Sequence, residues 1–388
     1  MTAVVAAHSS FRNSSEAADD IARQFAAGIE GEPDAIILFA SASHDFSELL
    51  QRLDARCRPR LLVGSSSAGE FTDKHLATGA VSALAIRSDE LRLSASIGEG
   101  ISIDAAAAAS QLVAGFIGVD GNGFRYRAAL IMTDALAGRA QQVVEQLTTL
   151  TAGRYLFAGG GAGDDANFRK THVFLGTKVF EDAIVALEFL SNKPIGIGVG
   201  HGWEPASASM RATEVDGMRL VSLNGLPAVE AFEAHAGSSG QTFDRNDPMP
   251  FFLHNILGVD TGTGFRLRVP LALLENGSIL CAAEIPDQAR VHIMKTNAES
   301  AISAAMRATA AAVDALGQHK PAAAFFFDCV ATRLRTGNAF EYELASVARV
   351  LDGAPFVGCN TYGQIARSEG QFSGFHNCTA VVMVLPEE

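Results

Sequence analysis

Three stretches of the chain carry residues whose types and spacing could do chemistry. Leu61–Glu70 reads LLVGSSSAGE, Tyr155–Asp164 reads YLFAGGGAGD, and Phe356–Gln364 reads FVGCNTYGQ. Aligned without gaps, each runs from apolar residues into tiny or hydroxylic ones. Gly69, Gly163 and Gly363 fall in register, each followed by an acid or an amide: Glu70, Asp164 and Gln364. The hydroxyls of Ser65, Ser67 and Thr361, main-chain amides and the Glu70 carboxylate could meet the ammonium and carboxylate of an amino-acid-like ligand. The same residues serve equally to cap strands and close turns, because glycine takes positive φ without steric cost.

Other chemistries fit these bends less well. Gly64 and Gly69 have the spacing of a phosphate-binding loop, but Glu70-Phe71 follows where lysine and a hydroxyl residue are needed. Gly159, Gly161 and Asp164 break the dinucleotide fingerprint, and Asp164-Asp165 would repel a pyrophosphate. Ser65 and Ser67 miss the G-x-S-x-G spacing of a serine nucleophile. The ten histidines form no HExxH and no close Cys/His quartet. His201, in Gly200-His201-Gly202-Trp203, and His376, in Gly374-Phe375-His376-Asn377-Cys378, are the candidates for an axial metal ligand, with a structural imidazole as the alternative for each. Cys359, inside the third bend, reads as a small buried thiol or a ligand. The 24 phenylalanines, Phe251-Phe252 and Phe325–Phe327 among them, could line a haem pocket or simply fill the core.

The elements that must position these residues repeat in order. A strand over 35–40, a helix over 45–57 and a strand over 61–64 lead into the first bend. The same series recurs at 128–133, 139–150 and 155–157, and again at 322–327, 339–351 and 356–357. Ser14 or Ser15 is expected to cap an early helix that buries Ile21, Phe25 and Ile29. Segments 81–86 and 91–97 read as a hairpin about Ser88-Asp89. The second and third bends lie about twice as far apart as the first and second. A degenerate fourth copy over 218–285, with Thr261–Gly264 as its bend, would fill the gap. The expectation is an α/β protein of internally repeated strand–helix–strand–Gly-loop–hairpin units, forming mixed, largely antiparallel sheets packed by helices. Gly237–Asp247 is the best candidate for a joint.

The totals narrow the class. The chain has 388 residues, 48% hydrophobic and 19% charged, with net charge −13. This is a globular composition, and no basic block invites nucleic acid or an anionic membrane. Five scattered cysteines without a CxxC pair point to reduced thiols and a cytoplasmic location. The N-terminus lacks the features of a signal peptide, and the most apolar window, 105–119, is too short to span a bilayer.

VGSSSAGEF, GHGWEP and VGCNTYGQIA with FHNCTAVV make the chain resemble the FIST family of sensory proteins across roughly 33–385. Gln364 stands where a glutamate is common in that family. The resemblance implies an N-terminal FIST domain over 1–225 and a C-terminal one over 226–388. It also implies small-ligand sensing in signal transduction, without enzymatic turnover. One branch of the family stands alone as haem proteins that sense nitric oxide and regulate partner histidine kinases. After two FIST halves no residues remain for an output domain, so the expected reading is a b-type haem sensor acting in trans on a histidine kinase or cyclic-di-GMP enzyme. His376 and His201 would be the haem ligands. The alternative is a haem-free module for an amino acid or similar metabolite, held by Ser65, Ser67, Gly69, Glu70, Gly163, Asp164, Thr361, Gly363 and Gln364. Assembly into a homo-oligomer is left open.

Overall fold

Three six-stranded sheets with one common connectivity surround a central core in the computed structural model, which describes residues 2–387 apart from 122, 369 and 370. The first sheet runs, edge to edge, Ala3–Ser9, Val81–Arg87, Ala35–Ser41, Leu61–Ser67, Val173–Leu175 and Lys178–Phe180. The second runs Arg92–Glu99, Ala183–Ser191, Tyr126–Thr133, Leu156–Gly161, Gln364–Ser368 and Gln371–His376. The third runs Gly196–Gly200, Ala380–Pro386, Pro321–Cys329, Phe356–Thr361, Glu70–Thr72 and Leu76–Ala77. In each sheet only the third and fourth strands are parallel, joined by an outer helix. The sheets are therefore mixed and mostly antiparallel.

The last two strands of each sheet come from another unit. Beyond the first bend the chain enters the third sheet; beyond the second, the first sheet; beyond the third, the second sheet. This exchange closes the three sheets into a ring. Their inner faces meet in one apolar cluster, where Phe39 and Phe327 pack edge to face at 5.6 Å and Phe189 lies 6.1 Å from Phe325. Phe326 points the other way, beneath the helices of the third sheet. These phenylalanines are core.

Helices cover the outer faces, and local sequence explains where they start. Asn13, not Ser14 or Ser15, caps Ser14–Ala26, its side chain accepting from the Glu16 amide at 2.9 Å. Asp45, Asp104 and Asn297 cap Phe46–Cys57, Ala105–Ala114 and Ala298–Asp314 in the same way. The alanine-rich character of the last helix has a partner in the glycines of Gly196–Gly200. A Cβ on Gly198 would stand 1.7 Å from the Ala308 carbonyl oxygen, so helix and strand touch backbone to backbone.

Two expectations need correction. Val81–Arg87 and Arg92–Glu99 do not form a hairpin: the first pairs inside the first sheet and the second edges the second sheet, so 88–91 is a passage between sheets. Residues 218–285 are not a fourth copy. They belong to an insertion between Gly196–Gly200 and Ala298–Asp314 that folds as a nine-stranded sheet with antiparallel pairing throughout. Thr261–Gly264 turns a plain hairpin there, Ile256–Asp260 with Phe265–Arg268, and Phe251 and Phe252 fill the insertion's own core. Position 225 falls in the turn joining Arg219–Leu223 to Leu226–Pro227, and Gly237–Asp247 follows the helix Ala228–Ser239. Among the described residues no helix is long and apolar enough to cross a membrane.

Candidate functional site

The strand exchange brings the three glycine bends together. Their backbones bond to one another: Ala68 N to Asn360 O at 3.0 Å, Gly163 N to Ser66 O at 3.1 Å, and Gly161 N to Gly363 O at 2.8 Å. Gly69 and Gly363 sit at φ +146° and +122°, where a side chain would be strained. Gly163 is needed for another reason: a Cβ there would lie 2.8 Å from the Ala68 nitrogen. The bends thus converge, but they pack on each other.

The polar residues of the bends are buried and turned on their own neighbours. Ser67 donates to Glu70 Oε1 at 2.5 Å, and Glu70 Oε2 accepts from the Ala80 amide at 3.1 Å. Burial pushes the Glu70 carboxyl up to about 8 against the pull of these hydrogen bonds. In the third bend Gln364 donates to Thr361 at 2.8 Å and accepts from the Thr379 amide at 3.2 Å. Asp164 accepts from the amides of Phe168, Arg169 and Lys170 and from the Tyr362 hydroxyl. Burial works to raise its pKa, but these donors hold it below the ordinary aspartate value. Ser65 is buried within its strand.

The apolar cleft lies beside the bends, not among them. It has a free volume of about 180 Å³ and forms where the inserted sheet meets the second and third units. One wall is the 3-10 turn Ala135–Ala137 with Gly138 and Arg139. Asp134 sets this turn, accepting from the Leu136 amide at 3.0 Å and the Asp182 amide at 2.7 Å. A second wall is the start of helix Val330–Thr336, fixed by Asp328, which accepts from the Cys329 amide at 2.6 Å and the Thr332 hydroxyl at 3.1 Å. The inserted sheet supplies Val269, Leu271 and Leu280 to Glu284. Tyr362, Phe375 and Asn377 complete the lining.

The rim is unusually apolar. Leu136, Phe168, Met218 and Leu334 border the cleft and are 43%, 44%, 37% and 53% exposed. Large apolar side chains gathered at the mouth of a cleft mark a binding surface. Phe168 is held there at a cost. Asp165, Ala166 and Phe168 all take left-handed φ, of 56°, 65° and 53°. The Asp164 carboxylate clamps that segment, and the Phe168 ring stacks on Tyr362 with centroids 4.3 Å apart. Among the described residues that line the cleft, Asn377 carries a buried polar atom without a partner. It is 1% exposed, its Nδ2 donates to the His376 carbonyl at 3.3 Å, and its Oδ1 has no partner. That carbonyl fixes the amide's orientation, because the opposite flip would set oxygen against oxygen.

Of the nine bend residues expected to hold a ligand, none lines this cleft. Tyr362, which does, occupies the position of Ala68 and Ala162 in the other two bends. It is the one large side chain in the aligned bends, and that was the signal available in the sequence. The expected haem ligands do not fit a haem here. His376 is buried on a strand, paired opposite Gln364. His201, its pKa lowered by burial, borders a shallow polar groove with Glu204, Ser300 and Arg307. Neither borders the apolar cleft.

The model of the FIST N domain matches residues 34–226, and that of the FIST C domain matches residues 228–367. The chain belongs to the FIST family. FIST domains are sensory modules that bind small ligands in signal transduction. The inserted sheet is divided between the two matched parts, and the cleft draws its walls from both. No curated protein matches the chain. Among solved structures, cyanuric acid hydrolase from A. caulinodans aligns over 100% of both chains at 8% identity and a TM-score of 0.34, a likeness too slight to carry fold or activity across.

Proposed function

We propose that this FIST protein is a sensor whose ligand is a small, mainly apolar molecule bound in the cleft between the inserted sheet and the ring of three sheets, and that it binds this ligand without transforming it. The observation that carries this reading is the pairing of an apolar rim with one buried amide oxygen that lacks a donor. A buried acceptor left unpaired costs about 1–3 kcal/mol, and a ligand N–H or O–H that reaches it by parting the side chains covering it would recover part of that. The aromatic and aliphatic lining supplies affinity, and Asn377 supplies selectivity. Arg139 and Glu284, of opposite charge at the edge, do not single out a strongly charged ligand. Output through a partner histidine kinase or cyclic-di-GMP enzyme rests on the family resemblance alone.

Calorimetry with indole and indene tests the reading, because the two bicycles match in shape and only indole carries an N–H. Indole is expected to bind about tenfold more tightly, the worth of roughly 1.4 kcal/mol, and Asn377→Leu is expected to erase the preference. Absence of binding by both probes and by larger apolar analogues would overturn the proposal.

A further inference from the structure

Two of the five cysteines meet at the back of the cleft. Cys329 ends the strand Pro321–Cys329 and lines the cleft; Cys378 lies just before Ala380–Pro386. The two strands are antiparallel neighbours with Phe327 opposite Val381. Continuing that register sets Cys329 opposite Thr379, next to Cys378. The two thiols are buried in one apolar cluster, and both are free. Cys378 lies outside the strand at a left-handed φ of 49°, so the alternation of faces that holds within a strand does not turn its thiol away from Cys329.

We propose that Cys329 and Cys378 form a hydroperoxide-reactive thiol pair that closes to a disulfide behind the cleft wall. Cys329 is the attacking group, because it is the one of the two that lines the cleft. The hydrogen bond from the Cys378 thiol also pulls the Cys329 pKa below the usual cysteine value, against the upward push of burial. The Cys378 thiol is correspondingly raised, which suits the resolving role.

The reaction balances in two steps. The Cys329 thiolate attacks one oxygen of the hydroperoxide. An S–O bond forms, the O–O bond breaks, and the departing oxygen takes up the proton that Cys329 released. Cys378 sulfur then attacks the sulfenic sulfur. An S–S bond forms, the S–O bond breaks, and the hydroxyl leaves as water with the Cys378 proton. Two thiols are oxidised and one hydroperoxide is reduced to an alcohol or to water. The bridge would tie the first turn of Val330–Thr336, which carries Val330, Ala331 and Leu334 of the cleft, to the segment bearing Asn377. Oxidation would thereby change the cleft without a ligand present.

The test treats the full-length protein with hydrogen peroxide, blocks remaining thiols after unfolding, and maps peptides by mass spectrometry. The expected result is paired loss of Cys329 and Cys378, a peptide joining them about 2 Da lighter than its parts, and reversal by dithiothreitol. Cys359, fully buried and away from the cleft, should stay unmodified and act as an internal control. In Cys378→Ser, which lacks the resolving thiol, dimedone should trap a sulfenic acid at Cys329. Should wild-type protein keep both thiols while Cys57 oxidises, or oxidise Cys329 to sulfinic acid without a bridge, the proposal is overturned. The wild-type map decides the matter even if the variant does not fold.

Discussion

The first and third bends both turn on a glycine at positive φ, and of the five positions at which 64–70 and 358–364 differ, two decide what each bend does. Where the first has Ala68 and Glu70, the third has Tyr362 and Gln364. In both, the residue after the glycine, Glu70 or Gln364, bonds a hydroxyl three residues back and a main-chain amide ahead. The third bend meets those two partners with a neutral amide. The first meets them with a carboxyl that burial keeps protonated up to about pH 8. The Tyr362 ring reaches outward to Phe168 and the cleft, whereas the short Ala68 side chain stays in a small apolar cluster with Val330 and Tyr362 and does not line the cleft. One scaffold thus carries a buried titrating group at one bend and a binding wall at another.

Exchanging the differing residues breaks the comparison most sharply at the acid. The Glu70 pKa rises from an ordinary 4.5 to about 8 on folding, so its contribution is fully present below pH 4.5 and is lost as pH rises to about 8. Glu70→Gln should flatten that window and leave the variant more stable than wild type at pH 8 by roughly 4 kcal/mol, with little difference at pH 4. The reciprocal Gln364→Glu should install the same loss at the third bend. Denaturant titrations across pH 4–9 check both.

Next in size is Tyr362→Ala, which gives the third bend the residue of the first. It removes a buried ring between Phe168 and the Asp164 clamp, at an expected cost of about 3 kcal/mol. Indole binding should fall with it, because Phe168 loses its stacking partner. Smaller again is Tyr362→Phe, which keeps the ring and deletes only the hydroxyl bound to Asp164. The expected loss is about 2 kcal/mol at pH 7. Asp164 has a lowered pKa, so its contribution is present above the usual aspartate range and fades as pH falls. The gap between wild type and this variant should narrow by pH 3 in the same unfolding assay.

The sequence made much of the frame legible. The apolar runs ending in Gly/Ser marked the central strands at Leu61–Ser67, Leu156–Gly161 and Phe356–Thr361, and the helices between them followed from periodicity. Partners across units were not legible. Nothing local to Glu70–Thr72 says that it will join the third sheet, because strand pairing is a long-range choice among similar apolar edges. For that reason the hairpin expected about Ser88-Asp89 does not form. The bends were rightly seen as the meeting point of the chain. Glycine lets the three backbones come so close that they bond to one another, a proximity that no residue type announces. The cleft depends on an insertion whose packing no motif announced, and Asn377 stood out only once its lack of a donor was visible.

The exchange of edge strands has a consequence for how the two matched halves relate. A fragment ending near residue 226 would carry Glu70–Ala77 with no third sheet to receive it, and a second sheet deprived of Gln364–His376. Neither half is autonomous. Each sheet is completed only by strands from another unit, so two separately made fragments are expected to regain the full set of sheets only by complementing each other.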